Sequence, residues 1–252
     1  MTRRRIATWA FLLAVVAMIA TPLFELAGNE RRVLAHVVVV ALCAAVVAAT
    51  ATAVGVVRAV LGSVIVAVTT YLVELLGHTR GVPFGEYDYS DRLWPQVAGV
   101  PLIVPLAWVA ITWCGWAVAR KIATRFVTRV VVAAWSITAW DLFLDPQMVG
   151  EGYWTWQAAE PAYRDIPLTN FVGWFVTGLV VAAITTVIAG RQGREVYAGV
   201  ARLVLVYTTL WVLSTIGFLF FFDDALVALV GGVGMGLPAL ASWRPRPEEP
   251  AL

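Results

Sequence analysis

YLVELLGHTRGVPFGEYDYSDRLWPQVAGVPLIVPLAW, residues 71–108, is the stretch whose reading decides the fold. An apolar helix brings Glu74 and His78 to its end, a polar and aromatic loop follows, and a second apolar helix opens at GVPLIVPLAW. The plan returns at residues 135–178, where WDLFLDPQ carries Asp141 and Asp145 and is followed by GYWTW and IPLTNFVGW. In both copies the acids stand where an apolar span meets an aromatic loop.

Working outward, the composition sets the medium. Of 252 residues 61% are hydrophobic and 13% charged, and the mean hydropathy is +0.82. Soluble domains are about 25% charged, so the chain reads as an integral membrane protein of all-α class. A net charge of +2 without a basic block excludes a nucleic-acid partner. Cys43 and Cys114 lie inside apolar spans with no CxxC or histidine neighbour and read as packing residues.

Crossing the hydrocarbon takes about 20 apolar residues. Eight such spans are expected: Ile6–Phe24, Val33–Val54, Val56–Leu76, Gly99–Ala119, Phe126–Leu144, Leu168–Ala189, Tyr197–Phe222 and Ala225–Ala241. TRRR before the first resembles a signal peptide, but the run is long enough to span and has no small-residue cleavage site. Gly232 and Gly236, four apart in the last span, form a small-residue face for close packing. Residues 1–242 read as one membrane domain and 243–252 as a polar, proline-rich cytoplasmic tail without fixed structure. With the N-terminus inside, 13 of the 18 Lys and Arg residues fall on the cytoplasmic side. Both termini are then cytoplasmic, and the two aromatic loops face the extracytoplasmic leaflet of the cell membrane.

The two copies align. Glu74 and His78 are four apart, as are Asp141 and Asp145, and four apart on a helix means one face. VPL before Trp108 matches IPL before Trp174, with seven positions from Pro101 to Trp108 and from Pro167 to Trp174. Two helices per unit predict a parallel internal repeat about an axis along the membrane normal.

Acids in a membrane span cost about 2.5–3.5 kcal/mol at the centre and less near the ends, so they invite a functional reading. Burial disfavours the charged carboxylate, which keeps such an acid ready to donate a proton, and His78 could relay it. The plainer alternative is helix capping or pairing with Arg80, Arg92 or Arg164. For Asp145, the following Pro146 is also a common way to end a helix. The loop aromatics, Phe84, Tyr87, Tyr89 and Trp94 in one and Tyr153, Trp154, Trp156 and Tyr163 in the other, read either as an interfacial belt or as π faces that stabilise a cation. Asn170, Trp174 and Thr177 share a face of the sixth span and offer a polar contact or a helix–helix hydrogen bond. No phosphate loop, HExxH, GxSxG or histidine cluster is present, and the chain has two histidines. That argues against iron-dependent oxidation and ATP-driven work, leaving cofactor-free acid–base chemistry or transport.

ELLGHTRGVPFGEYDY, GVPLIVPLAW, WDLFLDPQMVGEGYWTW and IPLTNFVGWFVTG together resemble the membrane carotenoid biosynthesis proteins, a family that includes the bisanhydrobacterioruberin and gamma-carotene hydratases. The resemblance covers about residues 56–178. It implies addition of water to a terminal C=C of a linear carotenoid, giving a tertiary alcohol with no cofactor and no metal. Its implied partners are the polyene, water, membrane lipid and other carotenoid biosynthesis enzymes. On our reading of the motifs Asp141 is the acid, Glu74 and His78 form the water-side base, and Asp145 supports them. Tyr87, Trp154, Trp156, Tyr153, Phe84, Asn170 and Trp174 hold the substrate, which reaches them sideways from the lipid. Two alternatives remain: carotenoid end-group cyclisation, since membrane lycopene cyclases look distantly similar, and a proton-coupled transporter or a non-catalytic carotenoid-binding protein.

Overall fold

The computed structural model of the chain describes residues 3–23, 31–157, 161–190 and 197–244. The tail from residue 245, and Arg191, Arg194 and Arg246 of the charge pattern, lie outside the described residues. Within them the chain forms eight helices: α1 (Arg3–Leu23), α2 (Arg31–Val54), α3 (Val56–Arg80), α4 (Ile103–Ile122), α5 (Phe126–Gly150), α6 (Leu168–Ala189), α7 (Tyr197–Phe220) and α8 (Ala225–Trp243). All eight are long and apolar enough to cross a membrane, and the fold is a polytopic helix bundle.

Two helices show how sequence sets position. α3 buries Ala59, Gly62, Val66, Thr70, Glu74 and Gly77, a stripe at three- and four-residue spacing, while Val57, Val64, Val68 and Leu72 face outward. α4 has no such stripe. Residues 107–119 are buried all round, three tryptophans included, and α4 packs on α2, α3, α5, α6, α7 and α8. Gly62 lets the Trp113 ring approach so closely that a Cβ there would lie 2.5 Å from it, and Trp113 donates its indole N–H to Ser63 Oγ at 3.0 Å.

Between α3 and α4 lie β1 (Tyr87–Tyr89), β2 (Gln96–Val97) and β3 (Val100–Pro101); between α5 and α6 lie β4 (Trp154–Trp156), β5 (Ala162–Tyr163) and β6 (Ile166–Pro167). β2–β3 and β5–β6 are matching two-residue hairpins, and β1 pairs antiparallel with β4. The repeat expected from the sequence is thus a structural one. Tyr87 pairs with Trp156, Asp88 with Thr155 and Tyr89 with Trp154, a register that maps onto itself when the units exchange at their offset of 67 residues.

The third helix runs past the expected Leu76 to Arg80, and two further boundary shifts have identifiable causes. The fourth span begins at Ile103, not Gly99, because Ala98 and Gly99 both have positive φ (50° and 81°) and form the tight turn of the β2–β3 hairpin. Arg164 and Asp165 do the same in the second unit (50° and 64°). The fifth helix does not stop at the Asp145–Pro146 step but continues to Gly150. Pro146 has no N–H for the Leu142 carbonyl, and the Tyr163 hydroxyl donates to that carbonyl at 3.4 Å instead. The small-residue face of α8 packs within the bundle, where Trp211 donates to the Gly232 carbonyl at 2.7 Å and lies against Gly236.

The first loop is pinned by Phe84, which sits between Gly77 of α3 and Gly173 of α6. A Cβ on Gly173 would meet the Phe84 ring at 2.7 Å and the Pro83 carbonyl oxygen at 2.8 Å. Gly173→Val should therefore cost about 1–3 kcal/mol, read as a lower unfolding temperature in detergent. Val172→Ala, at an outward-facing neighbour, should not.

Candidate active site

Glu74 is buried, and three side-chain donors reach its carboxylate. The Tyr87 and Tyr89 hydroxyls donate to Oε2 at 2.6 and 2.8 Å, and the Trp108 indole donates to Oε1 at 2.9 Å. The strand geometry accounts for the first two, because residues two apart on β1 point to the same side while Asp88 points away to solvent. Cross-strand packing fixes their rings: Tyr87 lies 4.8 Å from Trp156, and Tyr89 meets Trp154 edge-on at 5.8 Å. Burial first, then the nearby Glu74 carboxylate, push both phenols above the ordinary tyrosine value, so they remain donors.

The second unit supplies a carboxylate pair. Asp141 and Asp145 lie one turn apart on α5, both buried. The Asn170 side-chain amide donates to Asp141 Oδ2 at 2.9 Å and also to Asp145 Oδ2. Trp154 donates to Asp145 Oδ1 at 2.9 Å, while Asp141 Oδ1 is buried without a hydrogen-bond partner. Between the acids, Trp108 and Trp174 stack at 3.9 Å and 17°, with Trp140 edge-on to Trp174 at 6.5 Å.

A cavity of about 320 Å³ opens onto this cluster, within the range of small-molecule sites. Glu74, Asp145 and Asn170 line it, as do Phe84, Tyr87, Tyr153, Trp154, Trp156 and Trp174. Every residue expected to hold substrate is therefore at its wall, with two of the four expected catalytic residues. Asp141 is not a lining residue and reaches the cavity through Asn170 and Asp145. His78 is not one either. Its ring lies 5.9 Å from Tyr89 and 6.4 Å from Tyr87, against Gly99, where a Cβ would come within 2.5 Å of Nε2.

Tyr89, named only among the loop aromatics, Trp108, named only as the match of Trp174, and Trp140 were not among the expected site residues, yet all three line the cavity. Tyr89 was recoverable from strand alternation with Tyr87. Trp108 could have been found as the repeat partner of Trp174. Trp140 carries no signal beyond its place beside Asp141. Among the described residues no group of three or more His, Cys, Asp or Glu side chains is placed to hold a metal ion.

The family model of the carotenoid biosynthesis proteins matches residues 8–238. The chain belongs to that family. Bisanhydrobacterioruberin hydratase of Haloarcula japonica is 28% identical over 128 residues, which cover 49% of this chain and 43% of that relative. The chain thus matches less than half the length of that hydratase. No solved structure matches this carotenoid biosynthesis protein.

Two measurements check the cluster. Tyr87→Phe and Tyr89→Phe each remove a donor from a buried carboxylate and should each lower stability by about 1–3 kcal/mol in a denaturation titration. Tyr163 is also pushed up, to about 12, by burial and by Asp224. A phenol raised in the folded state contributes stability below its ordinary value of about 10 and loses it above. Stability should therefore hold up to about pH 10 and fall beyond it, in step with tyrosinate absorbance.

Proposed function

We propose that this carotenoid biosynthesis protein adds water, without a cofactor, to a terminal C=C of a linear carotenoid, giving a tertiary alcohol. The carrying observation is that two buried carboxylates, Glu74 and Asp145, line a cavity walled mostly by aromatic and aliphatic side chains. The name of the haloarchaeal relative supports the same reaction.

In this reading the Asp141–Asp145 pair is the proton donor. Two carboxylates that share one amide, with one oxygen unpartnered, suit a state in which the pair holds a proton between them. Asp145 delivers it to the less substituted alkene carbon, and the π electrons form the new C–H bond. The positive charge is left on the tertiary carbon, near tryptophan faces that attract cations. Water bonds to that carbon through oxygen, and its surplus proton passes to Glu74, which already accepts three hydrogen bonds and acts as the base. His78, behind Tyr89, is the next basic group towards solvent. Return of that proton from Glu74 to the Asp141–Asp145 pair through water resets the site, so the balance is alkene plus water, with no change of oxidation state. In this reading the acid end faces the extracytoplasmic leaflet and both termini lie in the cytoplasm, an orientation that the bias of Lys and Arg supports.

Co-expression with acyclic carotenoid precursors, followed by mass analysis of the pigments, tests the reaction. A gain of one water is the expected result. An isomer of unchanged mass would instead mean end-group cyclisation, and no new pigment would mean binding or transport. Asp145→Asn and Glu74→Gln should each lower turnover by about 10²–10⁴-fold while the protein still inserts. Full activity in both would overturn the site assignment.

A further inference from the structure

The cavity has a second end. Away from the acids it runs past Leu42, Phe143, Leu210 and Phe218 to the last turns of α1 and α7. There Ile19, Ile216 and Phe221 line the cavity and are also 51%, 43% and 47% exposed. Side chains that line a cavity and are this accessible fit an opening beside the last turns of these two helices. Ile19 and Ile216 sit in helices long and apolar enough to cross a membrane, and Phe221 directly follows the second, so an opening here would give onto lipid.

The packing of α1 fits such an opening. α1 is the least embedded of the eight spans, with 17% of Arg5–Pro22 buried, and it packs mainly on α2 and only slightly on α7. Its buried positions Ala7, Ala14 and Ala17 are small, whereas Met18, Ile19 and Pro22 turn to the cavity. The passage thus joins a lipid-facing mouth to a carboxylate end through an apolar bore.

We propose that this opening is the substrate port and sets substrate class. A linear hydrocarbon longer than the cavity threads in end first from the leaflet on the loop side. One terminus lies at Glu74 and Asp145, and the rest of the chain stays between α1 and α7 and in the bilayer. Ile19, Ile216 and Phe221 are then specificity-determining residues that touch the chain beyond its reacting end. A short isoprenoid alkene with the same terminal group would not need them. The proposal rests on the cavity being the carotenoid site, but not on the chemistry performed there.

The test uses the full chain in nanodiscs and two probes, a full-length linear polyene and a short terpene alkene carrying the same terminal isopropylidene group. Binding is read by quenching of the tryptophans around the cavity and turnover by product mass. Ile216→Trp and Ile19→Trp should weaken polyene binding roughly tenfold or more and lower its turnover in parallel, leaving the short alkene within about twofold. Leu229→Trp, at an outward position of α8 away from the opening, should change neither probe. Equal losses for both probes, no loss for either port variant, or the same loss in Leu229→Trp would overturn the proposal. Wild-type protein that binds the polyene without forming product would overturn the hydration reading alone, and the binding data would still judge the port.

Discussion

Burying a carboxylate in a membrane-spanning helix demands donors, and the demand of Glu74 organises much of this protein. A charged group placed mid-membrane costs about 2.5–3.5 kcal/mol on insertion scales, and each buried acceptor left unmade adds to that. Glu74 meets the demand with two tyrosine hydroxyls and an indole N–H. Those donors come from β1 and α4, so one side chain of α3 ties together the loop and the helix that follow it. Asn170 does the corresponding work between α5 and α6. The short β1–β4 ladder then joins the two units.

The same network explains why the extramembrane loops are so rigidly specified. A three-residue ladder would be marginal on its own. Here every inward position of it is an aromatic ring packed on another, and three of the four, Tyr87, Tyr89 and Trp154, also hydrogen-bond a carboxylate below. Phe84 anchors the start of the first loop in a slot that only glycines at 77 and 173 leave open. The roof of the cavity is thereby held by side chains that also form its wall.

Much of this was legible in the sequence because membrane spans and acids are loud signals. Hydropathy located eight helices, and the Glu74/His78 and Asp141/Asp145 spacings pointed to the loop-side ends where the cavity ends. What stayed hidden has identifiable causes. Hydropathy does not distinguish GVPLIVP as helix from hairpin plus helix, since the deciding feature is positive φ at Ala98 and Gly99. Pro146 read as a stop because its compensating donor, Tyr163, comes from a distant strand. Helical spacing gives the face of Asp141 but not its depth, and one turn separates it from Asp145, the residue that meets the cavity. The apolar bore from α1, α2 and α7 had no signature at all, since a wall facing a cavity and a wall facing lipid are built from the same residues.

The repeat also shows how one site arises from a duplicated plan. At the offsets of 67 and 66 residues, Gly77, Phe84 and Gly173 in the filled slot correspond to Leu144, Glu151 and Ala107. All three of the latter line the cavity. Where one half of the pseudo-symmetric scaffold holds a phenylalanine between two glycines, the other half is open and receives α1, α2 and α7 at its edge. The acids diverge with the slots. Glu74 has three donors, whereas its counterpart Asp141 has the Asn170 amide and an oxygen without a partner. Tyr87 and Tyr89 correspond to Trp154 and Trp156, and the indoles that replace the hydroxyls do not donate to Asp141 as the tyrosines do to Glu74. Trp154 turns instead to Asp145, which stands where the first unit has His78. Substitutions at these few equivalent positions give two related carboxylates, Glu74 and Asp141, unlike surroundings, which is how a duplicated plan can set two like acids to different uses.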